Sequence, residues 1–181
     1  MESLRGQLLI AAPTLTDPNF ARTVVLVSEH TDEGAMGVVL NRPSELTIGE
    51  AVPSLTAALD AEQSVYVGGP VASTSIVFLL EFLDPELAAL LVFGRVGFPS
   101  AQVDVVELVD QTERGRVFAG YAGWGPGQLD AELQSEDWIV EPATPDDVFG
   151  DEPASLWSSV LTRKGGRFAL LATMPLDPSL N

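Results

Sequence analysis

Apolar, β-branched runs separated by turn residues make up the first forty positions of the chain. The runs TVVLVSEH (23–30) and AMGVVL (35–40) flank a short polar loop, a pattern that predicts a β-hairpin. Residues 7–11 predict a further strand, and the sequence TDPN at 16–19 predicts a turn, because Asp and Pro each favour turn conformations. The pattern therefore predicts a three-stranded sheet in this part of the protein.

The remainder of the chain predicts strands and short helices in alternation. Strands are predicted at 64–67, 71–82, 116–119 and 138–140, and helices at 47–59, 126–134 and 152–161. Pro53 interrupts the first of these helices, so we expect one or two short pieces there. The sequence Asp84-Pro85-Glu86 is typical of a helix start, after which the pattern allows either a helix through Leu91 or a strand over 92–98.

Length and composition indicate one globular domain. A chain of 181 residues with 46% hydrophobic content can bury about 70% of the surface that its unfolded form exposes. No repeat, low-complexity tract or linker divides the sequence, so we expect a single α/β (α+β) domain over 1–181. The longest run without a polar residue, 87–93, is far shorter than a membrane-spanning helix, and a signal-peptide pattern is missing, so we expect a soluble, cytoplasmic protein.

The missing cysteines and the single histidine exclude several kinds of site. Without cysteine there is no disulfide, no thiolate nucleophile and no zinc site that needs sulfur. With His30 as the only imidazole, sites that need two histidines are excluded as well. Beside Glu29, Asp32 and Glu33, His30 could form an acid–base pair or a metal corner, but strand alternation places Glu29 and His30 on opposite faces, so His30 is interpreted as a hydrogen-bonded polar loop residue. We predict no metal and no cofactor, although an all-carboxylate magnesium or calcium site stays open.

The formal net charge of −17 argues against direct binding of nucleic acid. Nine basic residues stand against 26 acidic ones, and a surface this acidic repels a phosphate backbone. The basic residues form no dense patch: the largest group is Arg163, Lys164 and Arg167, followed by the pair Arg114 and Arg116. We interpret both groups as solvated charges at helix ends and in a hairpin, with a phosphate-ligand site as the alternative.

The glycine-rich stretch GYAGWGPGQL (120–129) fails the templates for nucleotide loops. In a dinucleotide-binding register begun at Gly123 the third glycine is replaced by Gln128, and a phosphate loop would need lysine where Pro126 stands. The stretch is interpreted as a corner between a strand and a helix, with Trp124 and Gln128 facing either a pocket or the core. The sequence GGP at 68–70 is interpreted as a turn that follows a strand.

Several of these segments occur together, and in the same order, in one family of bacterial proteins. The chain resembles the AlgH/YqgE family at 6–30, 34–43 (GAMGVVLNRP), 65–71 (VYVGGPV), 120–133 (GYAGWGPGQLDAEL) and the end PLDPSLN (175–181). The resemblance covers nearly the whole chain, and GWGPGQL after GGPV is highly specific. Many members carry a histidine after the GGPV strand where this chain has Leu79-Leu80-Glu81, so no role that depends on such a histidine is expected here.

The resemblance implies a mixed, partly barrel-like β-sheet flanked by helices, within a single domain. It also implies a regulatory role, because the family is associated with control of alginate genes. It supplies no catalytic residue. The motif residues that recur in the family form the candidate ligand-binding site, namely Asn41, Gly68, Gly69, Trp124 and Gln128.

Three functions follow from these observations. The first is a cytoplasmic regulator of transcription that acts indirectly, through a protein partner or a small ligand. The alternative is an uncharacterised, hydrolase-like enzyme with a pocket between the GGPV and GWGPGQL turns. Direct action on DNA is the third, and the net charge disfavours it. The sequence does not specify an oligomeric state.

Overall fold

The computed structural model describes residues 3–175, with Val105 and Val106 described by their backbone alone. The resemblance at 176–181 therefore lies outside the described residues. Within the described range the strands are β1 (Gln7–Ala11), β2 (Val24–Thr31), β3 (Gly34–Val39), β4 (Pro43–Thr47), β5 (Ser64–Val67), β6 (Val71–Phe82), β7 (Leu90–Phe93), β8 (Val96–Phe98), β9 (Thr112–Trp124) and β10 (Trp138–Pro142). The α-helices are α1 (Ile48–Ala51), α2 (Val105–Val109), α3 (Gln128–Gln134), α4 (Pro145–Phe149), α5 (Leu156–Lys164) and α6 (Arg167–Leu171). Short 3-10 helices lie at Pro53–Ala57, Pro85–Leu87 and Pro153–Ser155.

The strands form one mixed sheet. Its main path is β10-β1-β2-β3-β9-β6-β8-β7, and β5 pairs with both β4 and β9. The β5–β9 pair is parallel and the other described pairs are antiparallel. The sheet is open, yet it curls until Gly6, just before β1, lies against β7, where a Cβ on Gly6 would be 3.0 Å from that of Phe93. The predicted mixed sheet flanked by helices is confirmed, and one end strand, β7, approaches the residue before β1 without forming a ladder with β1 among the described residues.

The predicted N-terminal sheet is confirmed, because β1, β2 and β3 are consecutive neighbours and β2–β3 is the predicted hairpin. These strands are buried on both faces, as their continuous apolar runs require. His30 is buried and Glu29 is exposed, as strand alternation predicts. The Nδ1 atom of His30 accepts a hydrogen bond from the backbone nitrogen of Leu4 at 3.1 Å, so His30 ties the N-terminal segment to β2.

The two faces of the sheet carry separate hydrophobic layers. Side chains on one face pack against α4 and α5, including Trp157, Val160 and Leu161. The inward face predicted for the helix at 152–161 is thereby confirmed. Side chains on the other face pack against α3 and the two tryptophans Trp124 and Trp138. The indole nitrogen of Trp157 also donates to the carbonyl of Ala11 at 2.9 Å, and this hydrogen bond fixes α5 over β1.

Some predicted boundaries were wrong. The helix expected at 126–134 begins at Gln128, because its N-cap Gly127 has a φ of +71° and this left-handed turn separates Pro126 from the helix. The helix expected through Leu91 ends at Leu87. The alternative of a strand over 92–98 is correct in its type of structure but not in its extent, because the chain reverses at Gly94 (φ +50°) and forms the hairpin of β7 and β8. No helix in the described part of the chain is long and apolar enough to span a membrane.

The candidate site: a cleft over a buried arginine

Asn41, the first of the predicted site residues, joins two segments of backbone. Its Oδ1 accepts a hydrogen bond from the nitrogen of Val24 at 3.0 Å, and its Nδ2 donates to the carbonyl of Arg22 at 2.9 Å. Arg22 has a φ of +59°, a conformation that side-chain-bearing residues rarely adopt. The amide of Asn41 therefore ties down a strained turn at the start of β2.

Gly68 and Gly69 lie against the backbone of β9. A Cβ on Gly68 would be 2.3 Å from the carbonyl oxygen of Gly120, and one on Gly69 would be 2.2 Å from the carbonyl carbon of Tyr121. The nitrogen of Gly68 donates to the carbonyl of Ala119 at 2.9 Å. The GGPV turn and the start of the GYAGWGPGQL stretch are therefore in direct backbone contact at these positions.

Trp124 and Gln128 both belong to a hydrogen-bonded cluster around Glu132. The Oε2 atom of Glu132 accepts from the indole nitrogens of Trp124 and Trp138, at 2.8 Å each. Its Oε1 accepts from Nε2 of Gln128 at 2.9 Å, and Oε1 of Gln128 accepts from the backbone nitrogen of Gly125 at 3.1 Å. Trp124 is buried in the core, whereas Gln128 is exposed and caps the corner between β9 and α3.

The structure brings the five predicted residues into two groups. Asn41, Gly68 and Gly69 lie where residues 39–42 meet residues 67–68, since Val39 donates to Gly68 and Val67 donates to Arg42 through their backbones. Trp124 and Gln128 lie around Glu132. Their side-chain polar groups are engaged within the fold, and none of the five lines the three clefts described below. Ligand binding by these residues stays a prediction.

A different group of residues surrounds a cleft of about 360 Å³ between β9, the end of α4 and the start of α5. We call it the Arg116 cleft, after the residue that β9 contributes to it. Its polar lining includes Arg116, Thr144, Asp147, Asp151, Ser159 and Arg163. Ser159 and Arg163 are four residues apart along α5, and Ser155 is its N-cap residue four positions before Ser159, so the three border the cleft from one side of the helix.

Arg116 is 3% exposed, and it is the only buried lysine or arginine within the described residues. Its Nη1 and Nη2 atoms both donate to the carbonyl oxygen of Gly150, at 3.2 Å each, and its guanidinium carbon lies 4.4 Å from the ring centre of Tyr66. Its Nε is buried and has no hydrogen-bond partner among the described residues. Burial lowers the pKa of Arg116, against the opposing influences of Tyr66 and Asp151.

The other buried charged side chain at this cleft is the carboxylate of Asp147, and its charge is paired within the protein. Asp147 accepts two hydrogen bonds from Arg163, at 2.8 and 2.9 Å, and two more from the backbone nitrogen and hydroxyl of Thr144. The hydrogen bonds to Asp147 raise the pKa of Arg163. Arg114, two residues before Arg116, pairs with Glu81 at 2.7 Å and with Asp146 at 2.8 Å. Arg116 differs from these arginines because no carboxylate forms a salt bridge with it among the described residues.

A guanidinium that lines a cleft and has no salt-bridge partner among the described residues is suited to bind an anion. Arginine presents its donors in a planar fork that matches a carboxylate, and a buried charge without a counter-ion is costly. Ser155 and Ser159 supply hydroxyls at the cleft. The cleft contains no histidine, cysteine or lysine, and no group of histidines and acids in the described residues could hold a metal ion.

Two further clefts have different linings. A cleft of about 1010 Å³ lies beside the edge strand β10 and α6, and another of about 530 Å³ lies beside Arg114 and Phe149. In the larger cleft Lys164 donates to the carbonyl of Val140 and to Glu141. The charge of Lys164 is therefore already neutralised.

Sequence interpretation missed the role of Arg116. The interpretation of Arg114 and Arg116 as solvated charges is wrong for Arg116, because its side chain lies beneath α4 instead of pointing to solvent. The signal was present: Arg116 opens the apolar run RVFAG inside a predicted strand, where a cation is expected only with a specific partner. Arg163 and Lys164 do lie in the last turn of a helix, as predicted.

Comparison with known proteins gives a consistent result along the whole chain. A family model described as AlgH-like matches residues 8–169. A UPF0301 protein of Thermobifida fusca is 43% identical over 191 aligned residues, which cover 99% of this chain and 96% of the relative. A UPF0301 protein of Streptomyces coelicolor is 41% identical and covers 100% of this chain and 97% of its own.

Two solved structures share the fold. The crystal structure of a protein from Corynebacterium diphtheriae matches with a TM-score of 0.88 at 30% identity, covering 96% of this chain and 94% of that one. The solution structure of the AlgH protein from Pseudomonas aeruginosa matches with a TM-score of 0.71 at 33% identity, covering 97% and 96%.

Proposed function

This chain belongs to the AlgH-like family, and from that premise we propose that it is a cytoplasmic accessory protein of gene regulation that acts by binding a small anion. One observation carries the proposal: Arg116 lines a cleft, is buried, and has no salt-bridge partner in the described part of the chain. A buried charge without a partner destabilises the folded state, and an ion pair or an apolar residue at this position would avoid that cost. A ligand that brings its own negative charge explains why the arginine stands there.

The proposed role in gene regulation rests on the family association. The proposal that the protein does not contact DNA directly rests on its net charge. The net charge of −17 disfavours contact with a phosphate backbone. The arginines and the lysine are also largely engaged within the protein: Arg95, Arg114, Arg163 and Lys164 pair with carboxylates. Arg22 and Arg42 donate to backbone carbonyls. We therefore propose that any effect on transcription passes through a bound ligand or a protein partner.

The test of anion binding is a titration with sodium propionate, followed by the ¹H–¹⁵N signal of the Arg116 Nε–H group. We expect this signal to move, and we expect Arg116→Met to remove the binding. Arg5→Met is the matched control, because Arg5 is exposed, forms no salt bridge among the described residues and does not line the cleft. No change in the Arg116 signal up to molar propionate would overturn the proposal.

The test of indirect action is an electrophoretic mobility shift at physiological salt. We expect no sequence-selective complex between the purified protein and promoter DNA. Tight, selective binding would contradict this part of the proposal and leave the anion site intact, since the two readouts are independent.

The hydrolase-like enzyme is the competing function, and it places the chemistry between the GGPV and GWGPGQL turns. Direct backbone packing of Gly69 on Tyr121 leaves little room there. A broad substrate screen of wild type, Asn41→Ala and Gln128→Ala tests it. Hydrolysis that falls in both variants, with the fold intact, would favour the enzyme.

A further inference from the structure

The charges around the Arg116 cleft differ between its floor and its mouth. Arg116 forms the buried floor, and both of its terminal nitrogens donate to the carbonyl of Gly150. Arg163 is the other cation of the cleft, and Asp147 already occupies its guanidinium through two short hydrogen bonds. One guanidinium is therefore available to a ligand. This suits a single carboxylate better than a phosphate, which carries more charge.

The mouth of the cleft is acidic. Asp151 and Glu152 are exposed lining residues, and neither forms a salt bridge with another described residue. Asp146 is also at the cleft and is held by Arg114 at 2.8 Å. Four acidic side chains and two arginines line the cleft in total, so the site as a whole is negative. A ligand with only negative charge would be repelled on entry, whereas a cationic group on the ligand would meet the exposed carboxylates of Asp151 and Glu152, of which Asp151 also attracts Arg116.

Part of the remaining lining is apolar. Leu40, Pro153 and Leu156 border the cleft, and its volume of about 360 Å³ is close to the lower end, roughly 300 Å³, of small-molecule sites. A molecule of amino-acid size fits this volume, with room for an aliphatic side chain.

Resting on the anion-binding function proposed above, we infer that the ligand is a small zwitterion of the α-amino acid class, bound with its carboxylate on Arg116 and its ammonium group between Asp151 and Glu152. The buried guanidinium selects the carboxylate, and the acidic mouth selects against simple anions. The apolar wall of Leu40, Pro153 and Leu156 contacts the side chain of the ligand.

The experiment compares four compounds with one carbon skeleton, using the Arg116 Nε–H signal and calorimetry with the full-length protein. L-Leucine carries both charges, 4-methylpentanoate only the carboxylate, N-acetyl-leucine a carboxylate with a neutral amide, and leucinamide only the ammonium group. We expect leucine to bind about tenfold or more tightly than 4-methylpentanoate and N-acetyl-leucine, and leucinamide not to move the Arg116 signal.

The double variant Asp151→Asn/Glu152→Gln tests the contacts of the ligand's ammonium group without changing Arg116, the proposed contact of its carboxylate. We expect it to reduce leucine affinity to that of 4-methylpentanoate, and to improve the affinity of the simple carboxylate. Glu29→Gln/Glu45→Gln removes two exposed charges outside the cleft and is the matched control, with no expected change in either affinity. We expect the double variant to fold as stably as the wild type, since both mouth residues are exposed, so that its ligand affinities can be compared directly.

The outcomes distinguish this inference from the function on which it rests. Equal affinity for leucine and 4-methylpentanoate, or unchanged leucine affinity in Asp151→Asn/Glu152→Gln, would contradict the inference that the ligand is a zwitterion. Neither result would contradict anion binding at Arg116. Leucinamide that binds as well as leucine would overturn the contact between the carboxylate and Arg116. If none of the carboxylates moves the Arg116 signal, anion binding itself fails.

Discussion

Both terminal guanidinium nitrogens of Arg116 lie 3.2 Å from the carbonyl oxygen of Gly150, the residue that ends α4. A neutral carbonyl thus takes the place that a carboxylate usually holds beside a buried cation. The neighbouring buried charge, Asp147, is instead paired with Arg163 through two hydrogen bonds. This difference gives opposite expectations for two arginines that line the same cleft.

Replacing each arginine by methionine should separate a ligand-binding charge from a structural one. Arg116→Met removes a buried charge that lacks an ion pair, so we expect a free energy of unfolding within about 1 kcal/mol of the wild type, or higher. Arg163→Met leaves buried Asp147 unpaired and should lower the free energy of unfolding by about 2 kcal/mol. This loss is smaller than for a fully buried ion pair, because the Arg163 side chain is 38% exposed. Urea denaturation measures both values. A loss above about 3 kcal/mol in Arg116→Met would identify Arg116 as a structural residue.

The Glu132 cluster should be a major source of stability. Glu132→Ala removes the shared acceptor of two indole N–H groups and of the Gln128 amide. Trp124 and Trp138 are about 95% buried, so we expect a loss of about 2–4 kcal/mol in the free energy of unfolding, with a change in the near-ultraviolet circular dichroism of the tryptophans. Gln134→Ala, an exposed position on the same helix, is the control. Equal stability of the two variants would contradict this prediction.

Gly69 should be far less tolerant of a side chain than Gly127. In Gly69→Ala the new Cβ meets the Tyr121 backbone at 2.2 Å, which cannot be relieved by a side-chain movement. We expect a loss of about 3 kcal/mol or more, or failure to fold. Gly127→Ala meets nothing within 4 Å and carries only the strain of a φ of +71°, about 1–2 kcal/mol. Thermal unfolding of both variants checks the ranking, and a reversed order would show that the turn at 68–70 can rearrange.

Asn41 and Gln128, both predicted as ligand contacts, should differ in their effect on stability. Asn41→Ala leaves the Val24 nitrogen and the Arg22 carbonyl without their partner, and we expect a loss of about 1–3 kcal/mol. Gln128→Ala should cost less than about 1 kcal/mol, since Gln128 is exposed and water can replace its hydrogen bonds. Chemical denaturation of the two variants, measured side by side, tests this. Similar losses would mean that the corner at 125–128 is more tightly coupled to the core than its exposure indicates.

Local chemistry determined the elements that the sequence predicted well. The hairpin of β2 and β3, the short helices around Pro53 and the inward face of α5 follow from β-branched runs, a proline and a helical period, each of which acts over a few residues. Other elements were missed, among them β4 and α4. The strand β4 has a weak local signal and pairs with β5 through the irregular register of Pro43 and Thr47. The helix α4 does carry a local signal, the capping box of Thr144 and Asp147 with Pro145 between them, which the sequence interpretation did not use.

The sequence by itself determined the family, the mixed sheet and the acidic charge, because motifs, alternation and composition are properties of neighbouring residues. Only the tertiary structure decided that Trp124 faces the core, that Gly68 and Gly69 touch β9, and that Arg116 lies buried beneath Gly150. The physical reason is distance along the chain. Arg116 meets a carbonyl 34 residues away, and a partner so remote is brought to it only when β9 and α4 pack together.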